Sequence, residues 1–220
     1  MSWQIMQSAL PLFERAFVLT LKLSAISVVL ATALGLVLAL LREYRTPVLS
    51  HISTVFQELF RNTPLLIQLF FLYYGLPSVG IMWSAQTCAI VGMSIFGAAY
   101  MSGAFEGGFS GMPRVQKESA RALGLAPLQM IRHVTLPQGL TRSVPAVAAN
   151  IIFMVKETSV FTVIAVPELT NTARDLIGMY YRSDEYLFML VVAYAIILIP
   201  LSIILTLLER RVRRGTFGDN

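Results

Sequence analysis

Few side chains in this 220-residue chain could carry covalent chemistry, and those few are not grouped. Gly108-Phe109-Ser110-Gly111 sets a serine between glycines, but a serine nucleophile needs a base within reach. The only histidines, His51 and His133, fall in polar segments away from it. Two separated histidines and the single cysteine, Cys88, do not make a metal site. No Gly-x-x-x-x-Gly-Lys-Ser/Thr pattern occurs, and no glycine is followed by lysine, so a phosphate cradle of that kind is absent. The reading is a chain with no catalytic residue, no metal and no cofactor of its own. The charged residues that stand out are Lys156 and Glu157, set inside an apolar run and followed by Thr158 and Ser159. A charge at the centre of a bilayer costs about 2.5–3.5 kcal/mol, so such residues face a cavity or a partner. Two functions stay open for them: a substrate path or subunit interface, and a satisfied pair that orders two helices.

The elements that position these residues follow from composition. Hydrophobic residues make up 56% of the chain and charged residues 13%, against about 25% charged in an average soluble domain. A soluble fold of this length could not hide so much apolar surface, which points to an all-α integral membrane protein. Five stretches approach the roughly 20 apolar residues needed to cross: 17–41, a segment centred on 64–76, 87–105, 144–166 and 186–208. Arg42, Arg45 and Arg61 follow the first stretch. Arg114, Lys117, Arg121, Arg132 and Arg142 lie between the third and fourth, and Arg210, Arg211, Arg213 and Arg214 follow the fifth. Cytoplasmic loops retain Lys and Arg, so five spans place the N-terminus outside and the C-terminus in the cytoplasm. These scattered basic residues form no stripe, so the net charge of +5 reads as a topology signal with no nucleic-acid partner. No removable signal peptide is expected at the N-terminus. Ile52, Val55, Phe56, Leu59 and Phe60 share one helical face, predicting an interfacial helix that leads into the second span.

Residues 107–142 read as a cytoplasmic helix-turn-helix between spans three and four. Pro113 suits a first turn, and Gly124 suits the left-handed residue that ends a helix. Val115, Ser119, Ala122 and Leu123 recur on one face, and Glu118 is spaced to pair with Arg114 and Arg121. Pro127 opens the second helix and Leu136-Pro137 closes it. Tethered between two spans, the motif calls for a protein partner rather than DNA.

Within it, Glu118-Ser119-Ala120, Gly124, Val134, Leu136 and Pro137 stand at the spacing of the EAA loop of bacterial ABC importer permeases. Ser119 replaces an alanine of that pattern and Val134 an isoleucine. Phe60 through Gln68, which includes Arg61, Thr63, Pro64 and Gln68, resembles the start of span two in the polar amino acid uptake branch. Lys156-Glu157-Thr158-Ser159 resembles the Lys-acid-Thr-Ser motif of that branch, and Glu168-Leu169-Thr170 and Glu209-Arg210-Arg211 are further, weaker likenesses. The resemblance covers the chain from about the first span to the tail and implies one permease domain, 1–220, in a bacterial inner membrane. It implies two cytoplasmic ATPases that hold ATP and Mg, a second permease subunit forming a homo- or heterodimer, and an external solute-binding protein. The EAA loop would dock on an ATPase, and a polar amino acid would be the substrate, its ammonium and carboxylate suiting Lys156 and Glu157 with their neighbouring hydroxyls. An ion-coupled secondary carrier is the alternative, but it leaves the long polar loop unexplained.

Overall fold

The computed structural model describes residues 2–43 and 47–217, with side chains described as far as 212. Arg45 lies outside the described residues, as do the side chains of Arg213 and Arg214. Among the described residues the fold is wholly helical. The helices are α1 (Trp3–Glu43), α2 (Pro47–Arg61), α3 (Leu65–Phe70), α4 (Ala85–Ser110), α5 (Arg114–Ala122), α6 (Pro127–Met130), α7 (Leu136–Glu157), α8 (Leu169–Tyr180) and α9 (Ser183–Phe217).

Four helical stretches are long and apolar enough to cross a membrane: Trp3–Glu43, Ala85–Ser110, Pro127–Ile164 and Ser183–Val212. Each begins ahead of the stretch read from hydropathy, because polar and small residues extend a helix beyond the hydrocarbon at no backbone cost. Where the second span was expected there is only a shorter apolar helix, Leu65–Val79. It consists of α3, a π turn (Phe71–Gly75) and a 3-10 turn (Leu76–Val79) that ends at Gly80 with φ +84°. At 1.5–2.0 Å per residue this piece is shorter than a hydrocarbon layer about 30 Å thick, so it crosses only where the layer thins or its flanking residues reach the interface. Pro64 at its start and Pro77 and Gly80 at its end set that length.

Packing divides the chain into two units. The first comprises the described parts of Met1–Val29, Thr63–Ser94 and Ile152–Ile203. Its core gathers Phe13, Val155, Leu169, Leu176, Tyr186 and Ile197, with Ala9, Ala16, Ala173 and Ala193 between them. Small residues at such contacts let helix backbones approach, which matters where lipid is as apolar as the core.

The second unit comprises the described parts of Leu30–Asn62, Ile95–Ile151 and Ile204–Asn220. Here α4 meets α7 through two glycines. A Cβ on Gly108 would strike the Ser143 hydroxyl and the Gly139 carbonyl, and one on Gly139 would strike the buried Phe109 ring. Ser143 Oγ donates to Gly139 O at 2.7 Å, closing the contact. The Gly108-Phe109-Ser110-Gly111 segment is thus a packing element, with Ser110 Oγ donating to Gly107 O at 3.2 Å.

In the same unit α2 is inverted. Its buried residues are Ser53 and Gln57, whereas Ile52, Val55 and Leu59 are exposed. The apolar stripe predicted from spacing exists, and it faces away from the protein. The cause is a set of polar partners on the inner side. Ser53 Oγ donates to Leu38 O at 3.0 Å, and Gln57 Nε2 donates to Ser102 Oγ at 2.8 Å and to Glu106. Arg42 completes the group with an ion pair to Glu106 at 2.7 Å.

The glycine contact gives a direct test. Gly139→Ala is expected to destabilise the protein by about 1–3 kcal/mol through overpacking. Gly107→Ala, whose Cβ meets nothing within 4 Å, is expected to be neutral or stabilising by about 0.5–1 kcal/mol. Thermal midpoints of the two purified variants in detergent would separate them.

Candidate coupling and translocation sites

The segment between α4 and α7 is built from three short turns of helix. Pro113, with φ −55° and ψ 130°, precedes α5 without a side-chain cap. After Ala122 the chain closes in a two-bond stop: Gly124 N–H donates to Arg121 O at 2.9 Å, and Leu125 N–H to Ala120 O at 3.1 Å. That pattern requires a left-handed residue, and Gly124 supplies it at φ +76°. Nothing lies within 4 Å of a Cβ placed on Gly124. The glycine is thus needed here for its backbone angle, and the space beside it is open.

Around this stop, Glu118, Ser119, Gly124 and Pro137 are exposed, Ala120 is buried, and Val134 and Leu136 are half-buried. Val115 on α5, Leu123 just after it and Leu128 on α6 are 68%, 80% and 64% exposed, apolar surface left uncovered on a short and otherwise charged segment. Glu118 forms no ion pair with Arg114 or Arg121 among the described residues, so the expected local support is absent. Its carboxylate is left to solvent or to a partner. The bond that does anchor α5 is one spacing could not reveal: Lys117 Nζ lies 2.6 Å from Glu43 at the end of α1.

The second half of the segment departs from expectation. Leu136-Pro137 does not end a helix. After α6 the chain makes a π turn, Ile131–Thr135, which leads directly into α7. A widened turn opens the hydrogen-bond ladder just where Pro137 brings no N–H, so the proline is accommodated instead of breaking the helix. Ile131 and Thr135 are buried and α5 packs against this turn, so the loop and the start of α7 form one piece.

The other region lies wholly in the first unit. Lys156 and Glu157 are the last residues of α7, and Thr158 begins a 3-10 turn, Thr158–Ile164. Lys156 is exposed, Glu157 and Ser159 are half-buried, and Thr158 is buried. Neither Lys156 nor Glu157 makes an ion pair among the described residues, so they are not a mutually satisfied pair. Thr158 Oγ1 donates to Val155 O at 2.7 Å and lies 3.4 Å from the Tyr194 hydroxyl. Tyr194 is also 3.3 Å from Thr170 Oγ1 and donates to Glu168 at 3.5 Å. Of the span-two motif, Gln68 is buried and donates to Thr63 O at 3.0 Å, Pro64 is exposed ahead of α3, and α3 packs against the 3-10 turn. Arg61 lies in the other unit, its guanidinium 5.4 Å from the Tyr100 ring centre.

Glu168 is the anchor that the sequence hid. It is fully buried and caps α8, accepting from Thr170 N at 2.8 Å and Asn171 N at 2.7 Å. Leu169 N–H donates to Thr20 Oγ1 of α1 at 3.2 Å. Glu168 lies outside the long apolar helices. Burial pushes its carboxyl up to about 7, against the pull of its N–H and hydroxyl donors. Glu168 is uncommon as a cap, since asparagine, aspartate, serine and threonine lead at that position. The sequence marked Glu168 only within the Glu168-Leu169-Thr170 likeness; its capping role follows from its extended backbone ahead of α8.

A family model described as the binding-protein-dependent transport system inner membrane component matches residues 31–214. The chain belongs to this family. Permeases of this family are inner-membrane transport components, and the chain is accordingly a multi-pass membrane subunit of an ABC transporter. It is 34% identical to the "Probable glutamine ABC transporter permease protein GlnP" of Bacillus subtilis (strain 168), over 89% of each chain. It is 32% identical to the glutamine transport system permease protein of Escherichia coli (strain K12), over 96% of this chain and 97% of that one. Its fold matches a crystal structure of an amino acid ABC transporter with histidines at a TM-score of 0.89 and 29% identity, covering 96% of this permease and 99% of that chain.

The buried cap has a measurable consequence. The folded value for Glu168 lies above the ordinary 4.5, so the folded state holds this proton more tightly than the open chain does. Its contribution to stability is full below about pH 4.5 and is lost as pH rises through about 7, a change of order 3 kcal/mol. Glu168→Gln is expected to flatten that part of the pH profile of the thermal midpoint between pH 5 and 8.

Proposed function

We propose that this permease carries a polar amino acid inward through the inner membrane, driven by ATP hydrolysed on separate cytoplasmic subunits. The observation that carries the reading is the outward face of α5. Val115 on α5, Leu123 just after it and Leu128 on α6 are exposed, together with Glu118, which has no ion pair among the described residues, and the left-handed Gly124. A surface of this kind, at the spacing of an EAA loop, suits a protein groove. On this reading Glu118, Ser119, Ala120, Gly124, Val134, Leu136 and Pro137 form the contact with one of two ATPases, which bind ATP and Mg.

The full assembly adds a second permease subunit and an external solute-binding protein, in keeping with the binding-protein dependence of the family. Residues 1–220 act as a single translocation domain. Leu65–Val79 makes a short fifth crossing with the four long helices, the N-terminus outside and the C-terminus in the cytoplasm, as the basic residues near α2, α5 and the end of α9 favour. The glutamine permeases among its relatives and the amino acid transporter of like fold favour an amino acid as the solute.

Lys156 and Glu157 fit the substrate path or the face toward the second permease. An exposed, unpaired cation at the end of an apolar helix is costly unless a partner or solute meets it. Lys156→Met is expected to weaken either assembly or uptake affinity at least severalfold. Wild-type values for both, from size-exclusion profiles and uptake in proteoliposomes, would remove Lys156 from either role.

The decisive experiment is co-purification of the solubilised permease with its ATPases, comparing wild type with Gly124→Asp. Holding a non-glycine residue at φ +76° costs about 1–2 kcal/mol, and the added carboxylate would sit in the space a partner needs. The expected result is loss of ATPase retention and of uptake with membrane insertion preserved. Full retention and coupling in Gly124→Asp would refute the docking site. Uptake that survives ATP depletion with ion gradients intact would favour a secondary carrier.

A further inference from the structure

We propose that the C-terminal half of α2 binds an aminophospholipid, with the headgroup between Arg61 and Glu58 and an acyl chain along Val55 and Leu59. The helix already presents the two halves of such a site. Its exposed stripe is apolar, with Val48, Ile52, Val55 and Leu59 from 48% to 69% exposed. Beside this stripe, a cavity of about 390 Å³ is lined by Arg42, Thr54, Gln57, Glu58, Arg61 and Asn62 together with Tyr100. That volume lies in the usual range for small-ligand sites, about 300–1,000 Å³. At 100° per residue, Glu58 and Asn62 fall on α2 between the cavity residues and the apolar stripe, so polar and apolar surfaces adjoin.

The charges in the cavity are unspent in a particular way. Arg42 is already paired with Glu106 at 2.7 Å. Arg61 has no carboxylate within ion-pair distance among the described residues. Its guanidinium rests over Tyr100 at 5.4 Å, a contact with the ring face that leaves the edge donors free. Gly103 makes room for it, since a Cβ there would lie 3.1 Å from a guanidinium nitrogen. Asn62 Nδ2 donates to Glu58 O at 2.8 Å, which fixes the amide beside the arginine.

Glu58 is exposed and also unpaired among the described residues. An unpaired cation and an unpaired anion three residues apart on one helix, not bridged to each other, match a zwitterion. The guanidinium fork suits a phosphate diester, and the Glu58 carboxylate suits a primary ammonium. A purely anionic headgroup would meet Glu58 with repulsion. The rings of Phe56 and Phe60, tilted against each other with centroids 4.6 Å apart, lie on the other side of the helix. The inference rests on membership of an inner-membrane family and is independent of which solute is carried.

The test is native mass spectrometry of the delipidated transporter in the assembly in which it purifies. The probes are dioleoyl phosphatidylethanolamine, dioleoyl phosphatidylglycerol and water-soluble glycerophosphoethanolamine. Wild type is expected to retain the ethanolamine lipid in preference to the glycerol lipid and to ignore the soluble headgroup. Arg61→Gln is expected to reduce retention of both lipids about tenfold, the size of a lost charge-assisted bond. Glu58→Gln is expected to abolish the preference and leave glycerol-lipid binding intact or stronger. Because the Glu58 side chain is exposed and makes no ion pair or hydrogen bond among the described residues, its variant reads selectivity even where Arg61→Gln fails to assemble. Equal retention of the two lipids by wild type, or an unchanged preference in Glu58→Gln, would overturn the proposal. Binding of the soluble headgroup as tightly as the lipid would also overturn it, pointing to a soluble ligand instead.

Discussion

Hydrocarbon offers a polar group no partner, and that shortage governs where every polar side chain of this protein lies. Backbone N–H and C=O groups are satisfied within helices, the form a spanning chain takes when it does not close into a barrel. Most polar side chains buried on the long helices bond to the helix itself or to a neighbour, although the hydroxyls of Ser27 and Ser94 find no partner among the described residues. Thr20 Oγ1 bonds to Ala16 O at 2.9 Å and accepts from Leu169 N. Ser143 bonds back to Gly139, and Asn150 Nδ2 reaches Tyr100 O at 3.1 Å. With little hydrophobic force between helices in lipid, such bonds and the close contacts at Gly108 and Gly139 are what hold elements in register.

The same shortage explains why α2 turns its polar face inward. In water, a helix buries its apolar stripe, and the spacing of Ile52, Val55 and Leu59 supports that expectation. Here the inner side of α2 meets Leu38 O, Ser102 and Glu106, which offer hydrogen bonds that lipid does not. Burying Ser53 and Gln57 against those partners costs little, whereas exposing them to hydrocarbon would leave them unsatisfied. The periodicity correctly marks a helix and a stripe. It carries no sign telling which side is in, because the sign depends on the solvent.

Other features were legible for comparable reasons, and some were not. The long apolar helices follow from composition, since lipid-facing residues must be apolar whatever they pack against. Gly124 was legible because a left-handed residue at a helix end is a local requirement that one residue type meets readily. The ion pair between Lys117 and Glu43 and the bond from Tyr194 to Glu168 join residues far apart in the chain, where no spacing rule applies. The continuation of helix through Leu136-Pro137 was hidden because a proline is normally read as a boundary, and a π turn leaves no mark in single-residue propensities.

That continuation changes how force could pass through the molecule. Had Leu136-Pro137 been a flexible break, a push on α5 would have been absorbed there. Instead α5 packs on the turn Ile131–Thr135, whose buried Ile131 and Thr135 hold it in place, and the turn continues into α7 without interruption. α7 ends at Lys156 and Glu157, beside the 3-10 turn. At that end the α-helix gives way to a 3-10 turn closed by Ala165 at φ +53°. A non-glycine residue in the left-handed region stores roughly 1 kcal/mol or more of strain. The strained residue therefore closes the turn that carries Thr158, within the first unit, where Thr158, Tyr194 and Thr170 form a chain of hydroxyls.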